Sequence, residues 1–221
     1  MDHRVGAMTD PNLRVVTISA GYGAGASIVG PRVAEQLGLP YLERVFSPSL
    51  VRAAAGGEGA TREEHSARFL DRLVDSLAGI PLDLGAGAPQ PVEDTNADEQ
   101  VRNEMEAGIE TLTRPPGGVV RGRGGMIVLR SCPSAFHVRL GGPRAARIRQ
   151  AMRLTQIDER EATRRCDETD RARVLYLRRF YDIDADDPTL YHLVMDSTAL
   201  PLELCTDLVM QAASGFWANL P

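Results

Sequence analysis

The sequence predicts an α/β fold: a central parallel sheet of about five strands, helices on both faces and a helical lid. Three observations predict it. Short β-branched or apolar runs alternate with helical apolar periods along most of the chain. A glycine-rich turn, "ISAGYGAGASIVG" over residues 18–30, joins the first strand pattern to the first helix pattern. A long, arginine-rich helical pattern precedes the last strand. Alternating strands and helices place a binding site beyond the carboxyl ends of the strands.

Each element follows from local pattern. Residues 14–19 read as a buried strand around Val15-Val16-Thr17-Ile18, and 26–38 as a helix through Val29, Val33, Ala34 and Leu37, with Gly38 past its end. "LPYLERVF" (39–46) reads as a second strand ending near Ser47-Pro48. Phe69, Leu70, Leu73, Val74 and Leu77 fall at helix spacing within 62–80. The Pro-, Gly- and acid-rich stretch 81–99 reads as a mobile loop, and 99–112 as a weak helix. After Pro115-Pro116-Gly117-Gly118 comes "VVRGRGG", a short strand and a second glycine-rich turn. A strand at 134–140, a helix at 143–154, a long charged helix at 158–181 and a strand at 190–196 follow. Pro201 suits the first turn of a final helix reaching about Ala213.

Composition narrows the function. The chain has 221 residues, is 43% hydrophobic and 25% charged, and carries a formal net charge of −5. It lacks the basic excess of a general nucleic-acid binder. No apolar run reaches the ~18 residues of a membrane span, and "MDHRVGAMTD" lacks the apolar core of a signal peptide, so no membrane partner is expected. Cys132, Cys166 and Cys205 are odd in number and scattered, which reads as reduced thiols in a cytoplasmic protein. His3, His65, His137 and His192 have no metal-ligand spacing, so no protein-held metal is expected.

The glycine turn is the first site candidate. Backbone N–H groups in such a turn, backed by a helix N-terminus, cradle phosphate. Gly21, Gly23 and Gly25 supply the turn, and Ala26 follows where a phosphate loop carries lysine. Ser27 could supply a hydroxyl. The second candidate is the arginine supply. All 25 basic residues are arginine, and Arg121, Arg123, Arg147, Arg164, Arg165, Arg171, Arg173, Arg178 and Arg179 lie in the C-terminal half. They read either as a lid closing over phosphates or as partners in solubilising pairs such as Asp167–Arg171 and Asp170–Arg173.

The order of these pieces resembles the cytidylate kinase-like branch of the P-loop nucleoside monophosphate kinases. "VTISAGYGAGASIVGPRVAEQLGLPY", "VVRGRGGMIVLRSCPSAFHVRLGGPRAARI" and "DETDRARVLYLRRFYDIDADDPTLYHLVMDST" carry the resemblance. It implies one P-loop kinase-like domain over 1–221, a helical monophosphate-binding insert at 47–112 and a lid at 155–181. It implies a donor site at Gly21, Gly23, Gly25, Ala26 and Ser27, with Asp196, Ser197 and Thr198 on its adenine side. Arg123, Asp170 and Arg173 would bind the acceptor, and Arg147 and Arg173 would act in catalysis.

The resemblance implies ATP and magnesium as cofactors, with the absence of the family's Asp and loop Thr arguing against the magnesium site, and a nucleotide or another phosphorylated small molecule as partner. The departures concern charge. Cytidylate kinases carry Lys and Thr where this chain has Ala26 and Ile28, and an Asp where it has Arg121. The cytidylate kinase-like branch carries arginines at the positions of Ala20 and Ser27. The expected function is phosphoryl transfer from ATP to CMP or dCMP with weak or lost activity. A degenerate nucleotide or phosphorylated-ligand sensor and a purely structural module are the alternatives.

Overall fold

The computed structural model describes residues 12–43, 109, 112, 114–122 and 124–220. Five strands form one sheet: β1 (Arg14–Ala20), β2 (Tyr41–Glu43), β3 (Gly117–Arg121), β4 (Ala135–Gly141) and β5 (Leu193–Asp196). Their spatial order is β2-β3-β1-β4-β5, and every neighbouring pair is parallel. β1 is central because five consecutive residues, Val15 to Ser19, can be buried on both faces. A parallel sheet needs that cover, since its crossovers bring helices to both sides.

The helices bounded within the described residues are α1 (Ala26–Leu37), the single turn α2 (Gly125–Val128), α3 (Arg144–Thr155), α4 (Glu159–Tyr181) and α5 (Leu202–Ala218). α1 and α5 cover one face, where Val29 and Val33 meet Val16, Ile18, Val138, Leu140, Cys205 and Val209. On the other, Val15, Val120 and Ala135 pack with Ile109, Leu112 and Leu129. Gly38 closes α1 in the left-handed region, its N–H reaching the Ala34 and Glu35 carbonyls. Asp158 caps α4 by accepting from the Glu161 N–H at 2.8 Å. Gly117 has φ +95, and a Cβ there would overlap the Arg14 carbonyl, so β3 can begin beside β1 only with glycine.

The predicted alternation and parallel sheet are present. Boundaries differ where side chains anchor the ends. Pro201 is the N-cap residue of α5, just outside the first turn. α5 runs to Ala218 because Phe216 and Trp217 pack onto the core and the Trp217 indole N–H donates to the Ser134 carbonyl at 2.8 Å. Residues 188–190 form a 3₁₀ turn, so the last strand is only Leu193–Asp196. The expected helix at 62–80, the loop at 81–99 and nearly all of the 47–112 insert lie outside the described residues, as do Arg123 and the side chain of Arg179.

The solubilising pairs on α4 are only partly as expected. Arg164 pairs with Glu161 and Glu168, and Arg165 with Glu161. Asp167 and Asp170 instead reach across to α3, where Arg144 grips Asp167 and Arg147 grips Asp170, each at 2.7 Å. Pairs within one exposed helix contribute only ~0.2–0.5 kcal/mol. A planar fork presented by a packed neighbouring helix competes well with that.

Ile18 is fully buried, whereas Val194 on the edge strand is 52% exposed. Ile18→Ala is expected to lower unfolding free energy by ~2–5 kcal/mol, and Val194→Ala by less than ~0.5, in urea titrations. His137 gives a pH test. Burial, and then the neighbouring His192, push its pKa from 6.5 down to about 4. Its Nδ1 lies 2.8 Å from the buried Thr17 hydroxyl. The unfolded chain therefore binds a proton below pH 6.5 that the folded chain refuses until about 4. Stability should fall on acidification through that window, by as much as ~1.4 kcal/mol per pH unit. His137→Asn, which can still bond Thr17, should flatten the profile.

Candidate functional site

The glycine turn runs from Gly21 to Gly25, between β1 and α1. Gly23 and Gly25 have φ of 76 and 77, the left-handed region that only glycine enters cheaply. A Cβ on Gly23 would overlap the backbone carbonyl of Arg147, so α3 crosses directly against the turn.

Three polar side chains hold the turn by its carbonyls. Arg147 Nη1 donates to the Tyr22 carbonyl at 2.8 Å. Gln150 Nε2 donates to the Gly23 carbonyl at 3.0 Å, and Ser197 Oγ to that of Ala24 at 2.7 Å. Arg147 and Gln150 are three apart on α3 and so share a face. Ser197, fully buried after β5, comes from the opposite side of the turn. With these carbonyls turned into the protein, the N–H groups of Gly23, Gly25, Ala26 and Ser27 have no acceptor among the described residues. They gather at the N-terminus of α1, where the helix dipole adds partial positive charge.

Formal charge near the turn is already matched. Asp170 of α4 accepts the Tyr22 N–H at 2.9 Å through Oδ1 and pairs with Arg147 at 2.7 Å through Oδ2. Arg147 also donates through Nε to the Gly142 carbonyl at 3.1 Å. Both Arg147 and Asp170 thus act on the turn from outside. Ala26 is buried, its methyl within the core under α1, whereas Ser27 is exposed.

Asp196 and Thr198 turn onto each other beside Gly142. The Thr198 N–H and hydroxyl both donate to Asp196 Oδ1, at 2.9 and 2.6 Å, and these bonds hold the Asp196 carboxyl below its usual pKa.

A cleft of about 490 Å³ opens next to the turn, between Gly21, Gly141, Arg139, Arg171, Arg173 and Asp186. Arg139 and Arg173 both contact Asp186 Oδ1, Arg173 at 3.2 Å. Burial raises the Asp186 pKa, but Arg173 and Arg139 outweigh that and hold it below the usual carboxylate range. Burial, and then Arg173, lower the pKa of Arg139, which still keeps its charge.

The sequence-predicted residues therefore fall in two neighbouring groups. Gly21, Gly23, Gly25, Ala26, Ser27 and Ser197 build or border the turn, whereas Arg147, Asp170 and Arg173 line the cleft, which Gly21 also borders; Arg147 and Asp170 brace the turn from there. Sequence reasoning missed Gln150, Arg139 and Asp186. Arg139 did carry a signal, since it is a charged residue inside a strand, on the face opposite to Phe136, Val138 and Leu140.

Residues 15–199 match the family described as cytidylate kinase-like. The chain belongs to that family. It is 25% identical over 203 residues to a cytidylate kinase of Aeropyrum pernix, covering 89% of this chain and 96% of the relative. A solved protein of Eubacterium ventriosum superposes with a TM-score of 0.56 at 14% identity, over 91% of this chain and 98% of that one. A gluconokinase of Sinorhizobium meliloti superposes with a TM-score of 0.49 at 15% identity, over 94% and 95%. The five-stranded parallel sheet with helices on both faces is the architecture the sequence predicts.

For this cytidylate kinase-like protein, Ser197 tests whether the turn is held from outside. Ser197→Ala leaves the buried Ala24 carbonyl without its donor. The loss is expected to cost ~1–3 kcal/mol in chemical denaturation. It should also weaken binding of inorganic pyrophosphate by calorimetry, because the cradle is no longer held open.

Proposed function

We propose that the protein binds a nucleoside triphosphate at the glycine turn and transfers its terminal phosphoryl group slowly to a nucleoside monophosphate, with cytidylate as the expected acceptor. One observation carries the reading: four backbone N–H groups at a helix N-terminus have no acceptor among the described residues, while the Tyr22, Gly23 and Ala24 carbonyls are held by side chains. That arrangement suits phosphate oxygens and little else. An acceptor phosphate oxygen would attack the γ-phosphorus, and the bond to the β–γ bridging oxygen would break as the diphosphate leaves. Catalysis of this step is mostly positioning and charge stabilisation.

The turn supplies positioning. Charge is the weak part, because Ala26 stands at the lysine position and Arg147 is matched by Asp170. Magnesium, when bound, would neutralise charge on the phosphate oxygens. The Ser27 hydroxyl, which is exposed, would be the protein group to join it. No cluster of three His, Cys, Asp or Glu side chains among the described residues could hold a metal without the nucleotide.

A second reading, binding without turnover, is favoured by Asp170. Its carboxylate occupies the Tyr22 N–H and brings negative charge to the edge of the cradle. Calorimetry with ATP, paired with a coupled assay using ATP, magnesium and cytidylate, separates the two. The first reading expects binding with turnover at least ~10³ below that of a lysine-bearing kinase. Ser27→Arg, which places a cation at an exposed position of the first turn, should raise that turnover. Binding with no turnover in either protein selects the second reading, and no binding at all removes both.

A further inference from the structure

β5 is a short edge strand, Leu193–Asp196, and among the described elements it pairs with β4 alone. The backbone bonds just before it are local to the 3₁₀ turn: the Leu190 N–H reaches the Asp187 carbonyl and the Tyr191 N–H that of Pro188. His192 makes the first tie to β4, and makes it twice. Its backbone N–H donates to the His137 carbonyl at 2.8 Å. Its ring Nδ1 accepts the His137 backbone N–H at 2.9 Å, a bond that a longer strand would meet with a backbone carbonyl.

Ring contacts hold the imidazole in place. It stacks on His137, with centroids 5.1 Å apart and 9° between the planes, and on Phe136 at 5.5 Å and 15°. Phe216 of α5 closes on it at 4.7 Å. A cavity of about 240 Å³ lies alongside. The ionisable groups lining it with His192 are His137 of β4, Arg130 and Cys132 from the segment before β4, and Tyr191, whereas α2 and α5 present only Met126 and Phe216. No carboxylate lines it among the described residues. Asp187, on the turn before, is bonded to the Thr189 N–H and hydroxyl. A charge on the His192 ring would therefore face an arginine and a second imidazole without a counter-ion.

The tautomer sharpens the conflict. A neutral His192 that accepts through Nδ1 carries its proton on Nε2. A second proton must go to Nδ1, which can then only donate, and which faces the His137 N–H. Burial already lowers the His192 pKa below its usual 6.5. A ring that has swung out to water takes the proton near 6.5. The seated ring is thus favoured above that pH and loses ground as the pH falls below it.

We propose that His192 latches the start of β5 to β4 while its ring is neutral and releases it when the ring is protonated. Tyr191 extends the effect toward the glycine turn. Its hydroxyl meets that of Ser19, near the end of β1, at 3.3 Å and donates to the Ala185 carbonyl at 2.9 Å. Release of His192 frees the residue next to these bonds.

The test is amide hydrogen exchange followed by NMR on the full chain, corrected for intrinsic rates, between about pH 7.5 and about pH 5. The His137 amide should lose protection ~5–10-fold more than the Val16 amide of the central strand, as expected for one lost hydrogen bond. His192→Asn, whose carbonyl can accept but never charges, should protect the His137 amide equally at both pH values. His192→Phe, which keeps the stack and lacks the acceptor, should leave it unprotected at both. The wild type alone supplies a check that needs no variant to fold: the His192 ring signals and the His137 amide protection should share one midpoint. Different midpoints overturn the proposal. So does equal loss of protection at Val16 and His137, which is global acid unfolding. An unchanged His137 amide, or a pH dependence that persists in His192→Asn, overturns it as well.

Discussion

The site depends on one contact, the crossing of α3 against the glycine turn. Gly23 admits the Arg147 carbonyl where any Cβ would collide. That closeness lets side chains from the same helix face, Arg147 and Gln150, take consecutive turn carbonyls, with Ser197 taking the next. A peptide unit has its N–H opposite its C=O, so holding a carbonyl on one side directs the following N–H to the other. The cradle is thus preorganised without any residue inside it. The parallel sheet provides the frame, because β1, β4 and β5 deliver the turn, Gly141 and Ser197 to one edge.

Much of this frame was legible in the sequence. The Val15 to Ile18 run could only be an interior strand, and the glycines before Ala26 marked a turn feeding a helix. The end of α5 was not legible, because it depends on Trp217 finding the Ser134 carbonyl across the fold. Arginine pairing failed for a related reason. Asp170 and Arg173 sit at a spacing that invites a local pair, yet each finds a partner on another element. In a chain whose cations are all arginine, spacing says little about which carboxylate each meets. Gln150 carried no sequence signal, since a lone glutamine on a polar helix reads as surface until the turn is laid against it.

The positions of charge explain how the family fold persists in a chain lacking the loop lysine. Arg147, Asp170 and the Tyr22 backbone form a closed set in which the carboxylate takes both the arginine and an N–H. This set anchors the middle of α4 to the turn. Ala26 turns its methyl into the core, whereas Arg147 holds the turn through the Tyr22 carbonyl. Arg147 therefore preserves the shape of the turn, and Asp170 balances the charge it brings.

Such a division has an energetic consequence. Preorganised N–H dipoles interact with the phosphates of substrate and transition state alike, so they contribute mainly to binding. A mobile cation that follows charge onto the transferring group contributes to rate. Here the geometry for the first is intact, and the described cations nearest the turn are held by carboxylates. Arg139 and Arg173 are the exception, because among the described residues the two share the single carboxylate of Asp186. The surplus positive charge of the site lies on its cleft side, away from the turn where the lysine is missing.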